Sequence, residues 1–393
     1  MGGMASWIYR QLNRVRPVRI ADNASVAAHE ATRWTQVHAP WPTPWSGPVP
    51  PEIVGGKLPS LLHDRLPDTV MSAQGVLLLE RASVLSDNGW IFTRRGRIAV
   101  GTTTYITDPR WMPRLHLPPL RIGATRLRGR TLSLLSSWAA MNFYHMLLEA
   151  LPRIDLVFRA GWRWEDFDHV LLPAFSSPTV ERLLAETGLP REKVRALAPH
   201  TWDYFRTDEL VCTTFPGACA AVSPPSVDYL RRLYASATTN VPLKASAPPA
   251  RRVFVRRLAK IRPLRNEEEL ADLAEQRGFT VIDPSQIPNA EDVFAAADVV
   301  VGAHGAGLAN LTFCKPGTQV LELLPSAQAF PHYFTLAVVG GLSYSCLIGP
   351  SDVEHEPHHP MQLRNSPHPF VIEPTAFVEA LGRIREVEQM PSR

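Results

Sequence analysis

The run Val299-Val300-Val301-Gly302-Ala303-His304-Gly305-Ala306-Gly307-Leu308 joins an apolar segment to a string of small residues. At the carboxyl end of a parallel strand, the N-terminus of a following helix offers N–H groups to an anion, and glycine lets a phosphate or ring approach the backbone. The spacing here is G-x-x-G-x-G. It is not the dinucleotide fingerprint G-x-G-x-x-G, and no acid follows at the customary distance, so a nucleotide-dependent oxidoreductase loses its main support. A tight strand-to-helix turn without a ligand fits the same letters.

Glu322 lies in the next apolar run, Val320-Leu321-Glu322-Leu323-Leu324. A carboxylate in a buried strand is costly unless it has partners. Two ribose hydroxyls would serve, and so would a nearby arginine. Arg256, Arg257, Arg262 and Arg265 cluster after the apolar triplet Val253-Phe254-Val255. Guanidinium forks match phosphate oxygens and would neutralise a departing diphosphate, although four arginines in a loop also suit a solvated face.

In the N-terminal half, His145 and Glu149 stand at i, i+4 with Asn142 a turn earlier and Tyr144 between. Either side chain could take a proton from an acceptor hydroxyl. The same spacing describes a capped helix with a core histidine bonded to Glu149. Asp166-Phe167-Asp168 is literally D-x-D, but it precedes Val170-Leu171-Leu172 and reads as the entrance to a strand. Glu354-His355-Glu356-Pro357-His358-His359 holds metal-capable side chains without a second ligand group at a recognisable spacing. No metal site is expected.

The elements that must position these residues follow from periodicity. Gly75 to Thr107 alternates short apolar runs with turns, a region rich in β hairpins. Asn142 to Arg159 reads as one helix, with a strand at Asp168–Pro173, a helix at Pro178–Thr187, strands at Val194–Leu197 and Glu209–Thr213, and a helix at Pro224–Ala237. After the proline-rich stretch Asn240–Ala250, strands at Val253–Val255, Phe279–Asp283, Val299–Gly302 and Val320–Leu324 alternate with helices at Asn266–Arg277, Asn289–Ala297 and Ala306–Phe313. Asn266 with Glu269 reads as a capping box. This alternation predicts a parallel sheet with covered faces. The expected division is a Pro/Trp-rich extension over 1–70, an α/β domain over 71–240 and a Rossmann-like domain over 251–393.

Taken together, three ordered blocks resemble glycosyltransferase family 61: Tyr144-His145 with Glu149 and Leu151-Pro152-Arg153; Arg257, Arg262 and Asn266-Glu267; and Val301 to Leu308 running on to Leu321-Glu322. They cover about residues 140 to 325. The resemblance implies an α/β fold of GT-B kind, with two Rossmann-like domains facing across a cleft. It implies an inverting transferase that uses a nucleoside-diphosphate sugar, usually a UDP-sugar, without an obligatory metal or other cofactor. His304, Gly305, Ala306, Gly307 and Leu308 would then surround the nucleotide and diphosphate, Glu322 the ribose, and Arg257 and Arg262 the phosphates. His145 and Glu149, flanked by Asn142 and Tyr144, would face the acceptor, a glycan or polysaccharide such as a capsule. One departure is Arg256, where the family tends to place a small hydroxyl residue.

Bulk properties agree with such an enzyme. The 393 residues are 45% hydrophobic and 20% charged with a net charge of +4, which suits a globular chain of about two domains. No basic run with interleaved aromatics calls for nucleic acid. Cys212, Cys219, Cys314 and Cys346 have no C-x-x-C spacing and read as buried thiols, which points to a cytoplasmic location. Met1 to Ser6 fits the myristoylation pattern only formally, and no apolar core follows as in a secretory signal. Trp7, Ile8, Leu12 and Val15 among Arg10, Arg14, Arg16 and Arg19 allow a peripheral contact with the inner face of a membrane. The alternative to catalysis is a polysaccharide-assembly protein that binds a nucleotide-sugar without turning it over.

Overall fold

The computed structural model describes residues 20–21, 31–45, 52–53, 56–64, 66, 70–102, 123–201, 203–218, 220–240, 250–257, 262–352 and 369–384. The N-terminal arginines, Cys219, most of the proline-rich stretch and the Glu354–His359 segment lie outside them. Two units emerge. The first comprises Met1–Trp41, Val70–Ser176 and Leu184–Cys219, and the second Pro42–Thr69, Ser177–Leu183 and Ala220–Arg393.

The first unit is built on a ten-stranded sheet. Its strands are β1 (Ile20–Ala21), β2 (Ala31–His38), β3 (Gln74–Glu80), β4 (Ser83–Leu85), β5 (Trp90–Phe92), β6 (Ile98–Ala99), β7 (Thr125–Ser133), β8 (His169–Pro173), β9 (Val194–Leu197) and β10 (Tyr204–Thr213). The last four lie parallel in the order β9-β8-β7-β10, the 3-2-1-4 order of a Rossmann-like half. The expected hairpin region supplies β3 to β6, joined antiparallel to β10 through β3 and β4. Ala31–His38, expected within a wrapping extension, instead pairs antiparallel with β3. Leu77, Leu79, Val84, Ile91, Leu171 and Leu210 form part of the core.

The helix expected over Asn142–Arg159 is interrupted. It runs as α1 (Phe143–His145), a π turn (Met146–Ala150) and α2 (Arg153–Arg159). Pro152 explains the break. It has no N–H for the Leu148 carbonyl, and its ring would strike that carbonyl in a regular helix. The widened turn, closed by the Leu151 N–H on the Met146 carbonyl at 3.1 Å, relieves the clash.

The second unit holds the predicted parallel sheet, with one strand more than foreseen. β11 (Arg252–Val255), β12 (Thr280–Ile282), β13 (Val299–Ala303), β14 (Gln319–Pro325) and β15 (Ser343–Gly349) lie in the order β12-β11-β13-β14-β15. Every pairing is parallel. β13 is buried throughout, as the unbroken apolar run of a strand covered on both faces requires. Helices α3 (Pro178–Glu186), α4 (Pro224–Asn240), α5 (Glu267–Glu275), α6 (Ala290–Ala296), α7 (His332–Gly340) and α8 (Pro374–Arg383) accompany these strands, with a 3-10 helix at Ala306–Phe313.

Two local expectations change. Asn266 precedes α5 without capping it through its side chain, which instead bonds both the carbonyl and the N–H of Ile372. The expected boundary at residues 240–250 also shifts, because α4 belongs to the second unit. Arg231 on α4 donates to the carbonyls of Thr312, Cys314 and Gly340, and the Tyr234 hydroxyl lies 2.8 Å from Asp292. Ser177–Leu183 belongs there as well, since Thr179 and Arg182 bond the fully buried Glu291.

Candidate functional site

In the first unit the chemistry gathers at the π turn. Asn142 caps α1, its side-chain oxygen accepting the Tyr144 N–H at 2.9 Å. His145 Nδ1 stands 2.8 Å from Glu149 Oε1, and Ser136 donates to Glu149 Oε2 at 2.9 Å. His145 and Glu149 are 7% and 6% exposed, so each leans on the other rather than on water. Tyr144 and Trp138 pack their rings against the imidazole, at 5.4 and 5.3 Å between centroids.

Arg153, whose importance composition did not signal, secures the turn from beneath. It is 1% exposed. Its guanidinium donates to the carbonyls of Glu149 and Thr102 and to the Thr213 hydroxyl. The first of these bonds satisfies a carbonyl that the π turn displaces from the regular ladder. Burial pulls the Arg153 pKa down to about 10, with Glu149 pulling the other way.

The D-x-D reading dissolves into local structure. Asp166 accepts the Arg163 N–H, and Asp168 accepts the Arg130 N–H. Among the described residues no group of three or more histidine, cysteine, aspartate or glutamate side chains could hold a metal.

In the second unit, strand order dictates the site. The order 2-1-3-4-5 reverses direction between β11 and β13, and ligands of open parallel sheets bind beyond the carboxyl ends of such a pair. Arg257 follows β11 by two residues, and His304 follows β13 directly. The register Val255↔Gly302↔Glu322↔Cys346 sets these residues across the sheet. Side chains alternate along a strand, so Glu322, Cys346 and, two residues before it, Tyr344 share one face.

His304 is 6% exposed, and its Nδ1 lies 2.5 Å from Glu322 Oε1. The Tyr344 hydroxyl donates to Glu322 Oε2 at 2.5 Å. Glu322, expected to accept from ribose hydroxyls, is 0% exposed with both oxygens engaged by protein. Burial drives the carboxyl up to about 8, the Tyr344 hydrogen bond opposing it. Burial, then Arg262, then Arg257 hold His304 well below the ordinary imidazole value, which disfavours a charged ring.

Arg257 stands in the field of Arg262. Burial and then Arg262 bring Arg257 down to about 9, and burial lowers Arg262. Arg262 has a left-handed backbone, φ 54°, and a buried Nε without a hydrogen-bond partner among the described residues. The other two arginines have carboxylate partners: half-buried Arg256 pairs with the exposed Glu268, and exposed Arg265 with Asp352.

The glycines pack protein against protein. A methyl at Gly302 would lie 2.9 Å from Val255 Cβ, and one at Gly305 3.1 Å from Arg257 Nη1. Leu308, expected to line the nucleotide, is buried beneath Gly302. Gly305, Ala306 and Gly307 are half-buried at the start of the 3-10 helix. Tyr333, absent from the sequence expectations, donates its hydroxyl to the Gly305 carbonyl at 2.5 Å and sets its ring 5.2 Å from that of His304. Both missed tyrosines lie beyond Glu322, in the part of the chain where the motifs had ended.

Comparison with known proteins adds a likeness. Residues 143–321 match the family model described as Glycosyltransferase 61. A beta-1,2-xylosyltransferase of Arabidopsis thaliana is 34% identical over 88 residues, 22% of this chain and 13% of the relative. The beta-1,2-xylosyltransferase RCN11 of Oryza sativa subsp. japonica is 41% identical over 51 residues, 13% of this chain and 10% of the relative. The chain thus matches a small fraction of the length of these curated relatives.

Proposed function

We propose, from the premise that the chain belongs to glycosyltransferase family 61 through residues 143–321, that it transfers a sugar from a nucleoside-diphosphate donor to a hydroxyl of a glycan or polysaccharide. UDP is the proposed nucleotide. The printed names of the relatives make a pentose such as xylose the first sugar to try. A GT-B arrangement, an inverting course and independence of metal belong to the same proposal.

The observation that carries it is the pairing of Arg257 with Arg262 beside His304, at the carboxyl end of a parallel sheet where its order reverses. Two guanidiniums held together away from water favour a dianion strongly. The Ala306 and Gly307 N–H groups, at the start of the 3-10 helix, would add donors to the same phosphates.

In the transfer, the acceptor oxygen attacks the anomeric carbon as the bond from that carbon to the phosphate oxygen breaks. UDP leaves with the bonding pair, and the hydroxyl proton passes to His145. Glu149 holds His145 Nδ1 and acts through it. Nε2 is then the nitrogen that takes the proton, and Glu149 becomes an orienting group rather than a second base. Asn142 and Tyr144 frame that histidine.

The test is a thermal-shift series of the full chain with UDP, UDP-xylose, UDP-N-acetylglucosamine and UDP-glucose, followed by UDP release in the presence of glycan acceptors. Stabilisation by at least one donor with acceptor-dependent UDP release is the expected outcome. A chain that none of these ligands stabilises would overturn the assignment, and binding without release would favour a non-catalytic assembly protein.

A further inference from the structure

We propose that Tyr344 and Glu322 are positioning residues that fix His304 as a neutral imidazole presenting its Nε2–H, a hydrogen-bond donor to a phosphate oxygen of the bound nucleoside diphosphate. This rests on the assignment of the Arg257–Arg262 site to a diphosphate.

The geometry begins with a proton count. Glu322 Oε1 and His304 Nδ1, 2.5 Å apart, share one proton. Glu322 Oε2 already accepts from Tyr344. Three states satisfy these contacts: a carboxylate facing Nδ1–H, a carboxylate facing an imidazolium, and a carboxyl group facing a bare Nδ1 with the ring proton on Nε2. Charged and nearby groups decide among them. Arg257 and Arg262 act on the imidazole and oppose a positive ring. On the carboxyl side stand Tyr344 and Cys346, and among the described residues no ion pair other than the one with His304 reaches Glu322 in its fully buried position. Tyr333 and His332 flank the ring and are neutral or weakly basic partners. Burial therefore selects the uncharged pair.

Its consequence is directional. A carboxyl group on Nδ1 forces the remaining ring proton onto Nε2, so the nitrogen turned away from Glu322 is a donor and not a base. Beside two guanidiniums, a neutral donor adds a hydrogen bond to an anion without adding a third repelling charge. His145 makes the same Nδ1-to-carboxyl contact in the first unit, where Ser136 donates to the other carboxyl oxygen in the place Tyr344 takes here.

Glu322→Gln tests this directly, because the introduced amide donates to Nδ1, accepts from Tyr344 and enforces the Nε2–H form. Glu322→Ala and His304→Ala are each expected to lose at least about tenfold in UDP affinity, and Glu322→Gln to restore most of the affinity that Glu322→Ala loses. Nitrogen-15 NMR of labelled histidines, with His304 assigned through its substitution, should show Nε2 protonated between pH 6 and 7.5. A resonance pattern with the proton on Nδ1, or a folded Glu322→Gln that loses UDP affinity tenfold, would overturn the proposal. Failure of the wild-type chain to bind UDP at all would instead strike the diphosphate assignment, so the two outcomes are separable.

Discussion

Nδ1 of His145 and Oε1 of Glu149 meet at 2.8 Å across one widened helical turn. In the proposed transfer, that contact leaves Nε2 to take the proton, with Glu149 as its support. His145→Ala should reduce sugar transfer by at least about a hundredfold with UDP affinity preserved, the range of a lost general base. Glu149→Gln should retain part of that rate. Steady-state kinetics with saturating donor decides it, and a normal rate in folded His145→Ala would remove the residue from catalysis.

Arg262 is the sharper probe of the donor site, since Arg256 and Arg265 are engaged by Glu268 and Asp352. Arg262→Ala should lower turnover at least about tenfold with the fold intact. Arg256→Ala should leave turnover within about twofold, because an ion pair to an exposed carboxylate contributes little. Equal effects from the two substitutions would show that the half-buried arginines are not distinguished by function.

Stability should carry the mark of the raised Glu322 carboxyl. Its folded pKa of about 8 lies above the ordinary carboxyl value, so the folded chain holds this proton more tightly than the unfolded one. The resulting contribution is complete below about pH 4.5 and disappears as pH climbs through 8. Glu322→Gln cannot ionise and is spared the loss. Melting temperatures at pH 5, 6.5 and 8 should show the variant gaining on the wild type with rising pH. Parallel curves would mean that the carboxyl is ionised throughout.

Two glycines in one motif should respond differently. A methyl at Gly302 meets the Val255 backbone oxygen at 3.0 Å as well as its Cβ, and backbone cannot yield cheaply. Gly302→Ala should cost about 1–3 kcal/mol of stability, the usual range for overpacking. At Gly305 the obstacle is the guanidinium end of Arg257, which can swing aside. Gly305→Ala should therefore fold normally and weaken UDP binding by roughly threefold to tenfold, about 0.7–1.4 kcal/mol. Melting curves and calorimetry separate the two effects, and the reverse pattern would contradict the packing described.

The second unit was legible because its apolar runs and capped helices alternate at the spacing of a parallel sheet, and Val299–Gly302 is apolar enough to need cover on both faces. The His145–Glu149 contact was also visible, since four residues bring side chains together on a helix. His304 and Glu322 are 18 residues apart, and only the register of two strands joins them. Likewise Tyr344 reaches Glu322 from a strand that no motif announced. The π turn was hidden because the sequence shows Pro152 but not whether the chain will kink, stop or widen to admit it. Arginine count could not separate Arg257 and Arg262 from Arg256 and Arg265, as their difference lies in which carboxylates the fold brings near.

The second unit is assembled from three separate stretches of chain. Anyone cutting this protein into fragments would choose the proline-rich run near residue 245. That cut would strip the guanidinium of Arg231 from three backbone carbonyls and leave the Glu291 carboxylate without Thr179 and Arg182. No single scissile point liberates the second unit whole. Circularly permuted chains that keep residues 177–240 joined to it are the better starting material.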